Sequence, residues 1–196
     1  MLETLELFDR NMLLAINAAH APWADAFFWI VSKPWASIPL YVAAIWLLYK
    51  KFPAKQASFC LLAIIISVAL ADLASVHCFK NVFMRYRPTH NTEIGDLIHI
   101  VNGYRGGMYG FVSSHAANMW AFCMAASLFV RNRMFIVIAY TWVAVVCYSR
   151  VYLGVHYPAD IICGALLGGG IAGTFYAFKN LKFKDLKKHR RTLNIN

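Results

Sequence analysis

Residues 57–79, ASFCLLAIIISVALADLASVHCF, decide the class of fold because they form one long apolar run. About 20 such residues are enough for a helix to cross the hydrocarbon core of a bilayer. Three further segments of similar character follow at Val112–Val130, Met134–Tyr148 and Ala159–Phe178. Hydrophobic residues fill 60% of the 196 positions and charged residues only 14%, whereas soluble domains carry about 25% charged residues. The sequence therefore predicts an all-α integral membrane protein.

The first fifty residues predict shorter elements. Residues 3–18 place Leu5 and Phe8 on one side of a helix and acidic residues elsewhere, as in an interfacial helix. The segment Trp23–Val31 is too short to cross, while Trp35–Tyr49 is long enough if tilted. We predict a bundle of about five to six transmembrane helices with an N-terminal interfacial helix. Its parts are residues 1–33, a membrane core at 34–178 and a basic tail at 179–196. No basic region precedes the first apolar segment, so no cleavable signal peptide is expected.

Positive residues predict the orientation. Seven of the nineteen Lys and Arg residues lie between Lys179 and Arg191, and others lie in two short connections, at Lys50, Lys51, Lys55, Arg131 and Arg133. By the positive-inside rule this face is cytoplasmic. The opposite helix ends would bring together Lys80, Arg87, His115, Arg150, His156 and Asp160 on the outer face. The net charge of +10 is thus assigned to the membrane surface rather than to nucleic acid, since no aromatic stacking platform accompanies the basic tail.

Cysteine and glycine spacing suggest packing roles. The five cysteines show no CxxC spacing, and four of them fall inside apolar runs, so neither disulfides nor a metal site is expected. The last helix contains small-xxx-small spacings around Gly164 and Gly168. These spacings allow either close helix contact within one chain or a dimer, and the oligomeric state stays open.

The first candidate site element is the pair Lys80 and Arg87. Seven helical steps place both cations on nearly the same face, and Arg85 is then turned away from them. Pro88 disfavours helical geometry at Arg87 and is predicted to end the helix there. The alternative is that both cations snorkel to lipid headgroups without a specific ligand.

The second element is Val112-Ser113-Ser114-His115, where a polar loop meets a membrane helix. Ser113 is a plausible N-cap, which leaves the first backbone N–H groups free to hold an anion. His115 follows one or two positions inside the helix. A lone histidine at such a place also fits a purely structural role.

The third element runs from Ser149-Arg150 to His156-Tyr157-Pro158-Ala159-Asp160. Pro158 suits the first position of a helix, which puts His156 at the lip and Asp160 one turn deeper. A hydrogen bond from the imidazole Nδ1–H to Asp160 would leave Nε2 with a free lone pair, as a nucleophile requires. A metal pair is the rival interpretation, with His115, His90 or His99 as further ligands. The neighbouring cations would oppose a bound metal ion.

Three cations, two histidines and a carboxylate on one membrane face indicate an anionic ligand, because unpaired charges at a membrane are costly. Arg87 and Arg150 can each present two donors to phosphate oxygens, and Lys80 adds a point charge.

The segments KNVFMRYRP, VSSH and SRVYLGVHYPAD resemble, in order, the three signatures of the type 2 phosphatidic acid phosphatase superfamily. The resemblance covers about Ala57 to Phe178. One departure stands out, since this family has Pro-Ser-Gly-His at the second signature. Here Val112 replaces the proline and Ser114 replaces the glycine, which either narrows the phosphate cradle or adds a donor.

The resemblance implies a two-step phosphatase without metal or organic cofactor. His156 would form a phosphohistidine, Asp160 would stabilise its imidazolium, and His115 would act as general acid and then general base. The resemblance assigns the equatorial phosphate oxygens to Lys80, Arg87, Ser113, Ser114 and Arg150. Haloperoxidases of the same superfamily bind vanadate at such a site but are soluble, and a membrane anion binder or transporter without catalysis is the alternative of another class.

The expected substrate is an outer-leaflet lipid phosphate of a bacterial inner membrane. Undecaprenyl pyrophosphate ranks first and lipid A second, and phosphatidylglycerol phosphate and phosphatidic acid are also compatible. In the polar stretch 81–110, side chains would either contact the headgroup or form a solvated loop; they are His90, Glu93, Asp96, His99, Tyr104 and Arg105.

Overall fold

The computed structural model describes the backbone of residues 2–193 and the side chains of residues 3–177. Its main helices are α1 Leu2–Ala18, α2 Pro22–Val31, α3 Ile38–Lys51, α4 Ala54–Ala74, α5 Asn81–Phe83, α6 Ser114–Val130, α7 Arg133–Tyr152 and α8 Pro158–Leu193. A π-helical segment, Ser75–Lys80, joins α4 to α5. The side chains of the predicted basic tail lie outside the described residues.

Three described helical segments are long and apolar enough to cross a membrane, at Ala54–Phe83, Arg133–Tyr152 and Pro158–Ala177. The segments Pro22–Val31 and Pro34–Lys51 are bent by 73° at their junction and would make a fourth crossing if they form one broken span. Helix α6 has 17 residues and lies among them with most of its side chains buried, a length at the lower limit of about 17 for a span. The predicted all-α membrane bundle is confirmed, but the described residues supply three or four crossings by length and composition, fewer than the five to six predicted, because α6 is short and the first apolar segments are bent.

Helix α8 packs tightly on α6 through two glycines. A Cβ atom on Gly168 would lie 2.0 Å from the Ala117 carbonyl oxygen, and one on Gly164 would lie 2.6 Å from that of Ser113. A side chain at either position would therefore push the helices apart. Gly169 faces open space. Gly164 and Gly168 thus serve helix contact within one chain, the first of the two alternatives that the spacing allowed.

The basic connections meet at the end of the bundle opposite the predicted site. The Lys51 ammonium donates to the carbonyl oxygens of Phe129 (3.0 Å) and Val130 (2.8 Å), where it satisfies orphan acceptors at the end of α6. The Arg131 guanidinium donates to the Tyr176 hydroxyl on α8. The ends of α3 and α6 therefore share one face with Tyr176 of α8, as the charge pattern predicted for the two short connections.

Helix α1 is amphipathic as predicted, but two of its polar residues point inward. Asn17 is 1% exposed and its amide donates to the carbonyl oxygens of Tyr152 (2.7 Å) and His99 (3.1 Å). Its side-chain oxygen accepts from the His99 N–H at 2.7 Å. Asp9 is also buried. Helix α1 thereby ties the long polar loop to the end of α7, next to the predicted site residues.

Candidate active site

His156 and Asp160 are paired as the spacing predicted. Helix α8 begins at Pro158, and His156 lies just before it with 1% of its surface exposed. The His156 Nδ1 atom lies 3.3 Å from Asp160 Oδ2, which also accepts from the Tyr157 N–H at 3.0 Å. A carboxylate only accepts, so Nδ1 carries the proton and the Nε2 lone pair faces away from α8.

Arg87 approaches that lone pair directly. Its Nη1 atom lies 3.2 Å from His156 Nε2 and 3.2 Å from the Val155 carbonyl oxygen. A guanidinium can only donate, which agrees with Nε2 as the acceptor. Gly110 makes this approach possible, because a Cβ atom there would lie 3.1 Å from both Arg87 Cγ and Asp160 Oδ2.

Arg150, near the end of α7, is also buried, with 2% of its surface exposed. Its Nη2 donates to the Tyr104 hydroxyl at 3.2 Å, and its Nε has no hydrogen-bond partner among the described residues. Within that same part of the chain, neither Arg87 nor Arg150 has an ion-pair partner. Two buried guanidinium groups without carboxylates are stable only if an anion or water offsets their charge.

The start of α6 contributes serines to the same cluster. Ser113 caps the helix, as predicted, by accepting from the Ala116 N–H at 3.4 Å. The Lys80 ammonium donates to the Ser114 hydroxyl, which lies 2.6 Å from that of Ser75. The hydroxyl that departs from the family signature is therefore held by neighbouring side chains. His115 follows Ser114 in the first turn of α6, and both residues line one cavity.

Burial and the neighbouring cations both favour the neutral form of His156. Burial lowers the pKa of His156 well below its ordinary value, and the charges of Arg87, Arg150 and Lys80 lower it further. Burial also lowers the pKa of Arg87, and the charge of Arg150 lowers it further. An imidazole without a proton on Nε2 is the form that can attack phosphorus.

The position of Arg85 corrects the sequence prediction. The helix ends at Phe83, four residues before Arg87, because Met84 adopts a left-handed conformation (φ 45°). Residues after it run extended, and Tyr86 forms an isolated bridge with Tyr109. Arg85 was expected to turn away, but its Nη1 donates to Asp160 Oδ1 at 2.8 Å. The prediction failed because it continued the helix as far as Pro88.

Asp9 completes this network and was not recognised in the sequence. Its Oδ2 accepts from Arg85 Nη2, and its Oδ1 accepts from the Ala159 N–H at the start of α8, both at 2.8 Å. The chain of contacts is Asp9–Arg85–Asp160–His156. No local pattern distinguishes Asp9 from an ordinary polar residue of an amphipathic helix, so only the tertiary contact identifies it.

Of the six loop residues for which headgroup contact and a solvated loop were both open, Tyr104 contacts the cluster, through Arg150. His90 and Arg105 bond within the loop, to Gly106 and Thr89, and Glu93 pairs with Arg10. Asp96 is exposed. His99 lies 2.9 Å from an Asp25 oxygen and stacks on His20. Five of these six therefore belong to the loop or its anchors.

Among the described residues, the side chains grouped closely enough to hold a metal ion are His20, Asp25 and His99. The two imidazole rings are stacked 3.7 Å apart and nearly parallel, so their nitrogens do not converge on one point. The second oxygen of Asp25 accepts from the Tyr152 hydroxyl at 2.6 Å. This group is separate from His156 and Asp160, and the rival metal interpretation of that pair gains no third ligand from it.

Fold and site together define a class of protein: a membrane-embedded helical enzyme with a histidine–aspartate pair set among buried cations. Residues 56–184 match the PAP2 superfamily, and the chain belongs to that family. It is accordingly a phosphatase. The predicted resemblance is confirmed.

Two relatives make the class narrower. A lipid A 4'-phosphatase of Porphyromonas gingivalis is 38% identical over 160 residues, which cover 82% of this chain and 68% of that protein. A lipid A 4'-phosphatase of Bacteroides thetaiotaomicron is 34% identical over 177 residues, or 90% and 79% of the two chains.

The crystal structure of a transmembrane PAP2-type phosphatidylglycerolphosphate phosphatase from Bacillus subtilis has the same fold. It gives a TM-score of 0.64 at 20% identity and covers 90% of this chain and 87% of that one. The protein is thus an integral membrane lipid phosphatase.

Proposed function

We propose that this protein hydrolyses the phosphate monoester of an outer-leaflet lipid through a phosphohistidine at His156. One observation carries the proposal: the buried His156 imidazole is paired with Asp160 and contacted by Arg87, and neither Arg87 nor the buried Arg150 has a carboxylate partner among the described residues. A phosphoryl group suits two guanidinium forks, because its oxygens accept paired hydrogen bonds and become a trigonal equatorial array in the transition state.

The first step is an in-line displacement at phosphorus. Arg87 transfers its hydrogen bond from His156 Nε2 to a phosphoryl oxygen, which frees the lone pair for attack. A bond forms between Nε2 and phosphorus, and the bond from phosphorus to the lipid oxygen breaks. His115 gives its proton to that oxygen as general acid. Asp160 stabilises the positive charge that develops on the imidazole.

In the second step His115 accepts a proton from water, and the resulting hydroxide attacks phosphorus. The bond between phosphorus and Nε2 breaks, inorganic phosphate leaves, and His156 returns to the neutral form. Lys80, Arg87 and Arg150 offset the charge on the equatorial oxygens in both steps, with the start of α6 at Ser113 and Ser114 as further donors. Arg85 and Asp9 act as positioning residues, because they hold Asp160 without reaching the substrate.

Lipid A is the substrate that the relatives favour. The sequence analysis placed undecaprenyl pyrophosphate before lipid A, but the motifs contact only the phosphate and do not distinguish the two lipids. Both relatives described above carry the name of lipid A 4'-phosphatase. We therefore propose a lipid A phosphomonoester as the substrate, in a bacterial inner membrane, with the site on the outer side and the basic connections in the cytoplasm.

Phosphate release by the purified protein tests the proposal. The assay compares lipid A, phosphatidic acid, phosphatidylglycerol phosphate and undecaprenyl pyrophosphate in the same detergent. His156→Ala should abolish release, and the exposed His77→Ala serves as a matched control that keeps it. Quenching with labelled substrate should trap an acid-labile phosphohistidine. Unchanged release by His156→Ala would refute the mechanism, and binding of phosphate without turnover would favour an anion-binding protein.

A further inference from the structure

Helix α4 carries one acidic residue deep in its apolar segment. Between residues 56 and 79, Asp72 is the one Asp, Glu, Lys or Arg of the sequence, and its side chain is exposed in the fold. Its carboxyl group accepts from the Asn118 amide on α6 at 2.8 Å. The Asn118 side-chain oxygen is buried and has no hydrogen-bond partner among the described residues. Polar groups inside a membrane are expensive to keep, and the mechanism above gives this pair no contact with the substrate.

The pair lies directly beside the general acid. Asn118 follows His115 by three residues, so both lie on one face of α6, one turn apart. A cavity of about 220 Å³ is lined by Ser114, His115, Asn118 and Asp72. Lys33 also lines it, but its ammonium lies 3.4 Å from the centre of the Trp29 ring. The carboxyl and the amide therefore face the space that begins at His115.

An apolar groove continues from the same place. Its volume is about 500 Å³, and it shares Tyr41 and Asn118 with the cavity. Leu48 on α3, Ile64 on α4 and Phe122 on α6 belong to its walls. Since Phe122 lies one turn beyond Asn118, a single face of α6 presents in sequence the general acid, a polar group and an apolar surface.

We propose that Asp72 and Asn118 form a subsite for the leaving group, where they hydrogen-bond the hydroxyl groups of a phosphorylated sugar lipid. The proposal rests on the proposed function, in which His115 protonates the leaving oxygen. Whatever follows that oxygen then occupies the cavity. Carboxylate and amide groups together accept from and donate to sugar hydroxyls, and the acyl chains of the same lipid lie in the apolar groove.

The subsite disfavours lipids whose leaving group is charged or carries no sugar hydroxyl. With a polyprenyl pyrophosphate the leaving group is itself a phosphate, and a carboxylate beside it is repulsive. With phosphatidic acid the leaving group has no sugar hydroxyl, so the polar pair stays unpaired by substrate. A site built to bond a hydroxyl discriminates strongly against a substrate without one.

The test compares kcat/KM for lipid A, phosphatidic acid and undecaprenyl pyrophosphate. The near-isosteric Asp72→Asn and the variant Asn118→Leu should each lower the ratio of lipid A to phosphatidic acid by about tenfold, the effect of about 1.4 kcal/mol. Asp72→Asn should also raise the relative rate on undecaprenyl pyrophosphate. Ser67→Ala is the matched control on the same helix, since its hydroxyl bonds only to the Ala63 carbonyl oxygen among the described residues, and it should leave the ratio unchanged.

Two results separate failure of the subsite from failure of the function. Equal loss on all three lipids, or an unchanged ratio in both variants, overturns the subsite while phosphatase activity stands. A wild-type protein that releases phosphate from no lipid, or an active His156→Ala, overturns the proposed function and the subsite together.

Discussion

Replacing Arg85 with methionine is the sharpest test of how the proposed nucleophile, His156, is positioned. The change removes two charge-assisted hydrogen bonds of 2.8 Å, to Asp160 and to Asp9. Breaking a fully buried ion pair costs about 3–5 kcal/mol. The Arg85 side chain is 25% exposed, so solvent offsets part of this, and we expect a loss of roughly 2 kcal/mol in stability.

The effect on the reaction follows from Asp160. This carboxylate keeps its contacts to Tyr157 and His156 but loses the donor on its other oxygen. If the lost contact weakens the transition state by about 2.7 kcal/mol, kcat falls about 100-fold. The Asp160→Asn substitution disturbs the imidazole tautomer directly and should lower kcat further, by about 10⁴-fold. KM for lipid A should change little, since Arg85 is separated from the substrate by Asp160.

Steady-state phosphate release gives kcat and KM separately for each variant. Arg85→Lys should restore part of kcat, and Asp9→Asn combined with Arg85→Met should be less than additive because both act through one network. Arg105→Met, in the loop, is the matched control and should retain full activity. An Arg85→Met variant with normal kcat, or one altered only in KM, would refute the positioning role.

Three further results are expected. His156 is neutral in the folded protein because burial and nearby cations hold its pKa well below the ordinary value; stability should therefore fall as pH drops through about 6.5, where the unfolded chain takes up the proton, and His156→Gln should reduce this fall in melting temperature. Gly168→Ala should destabilise by about 1–3 kcal/mol because the new methyl group meets the α6 backbone, whereas Gly169→Ala, facing open space, should not change the melting temperature. Arg150→Lys should lower kcat/KM by about 100-fold, because a point charge replaces a buried fork of donors; if Arg105→Lys were equally damaging, the loss would reflect general loop disturbance instead.

Much of the site could be predicted because its residues sit where helices begin and end. His156 and Asp160 are four apart across a helix start marked by Pro158, so local geometry alone brings them together. Ser113 predicts the start of α6, because serine is a favoured N-cap residue. Arg85 was misplaced because a left-handed residue at Met84 ends the helix early, and no proline or glycine marks that position in the sequence.

The sequence by itself determined the membrane class, the phosphatase family and the residues proposed for the site. Apolar runs must lie in lipid, and helix termini with their caps, prolines and charges follow from short-range backbone rules. Only the tertiary structure showed the partners of Asp9 and Asp72. Each is an ordinary polar residue within its own helix, and the packing of α1, α4, α6 and α8 decides which distant side chain comes within hydrogen-bonding distance of it.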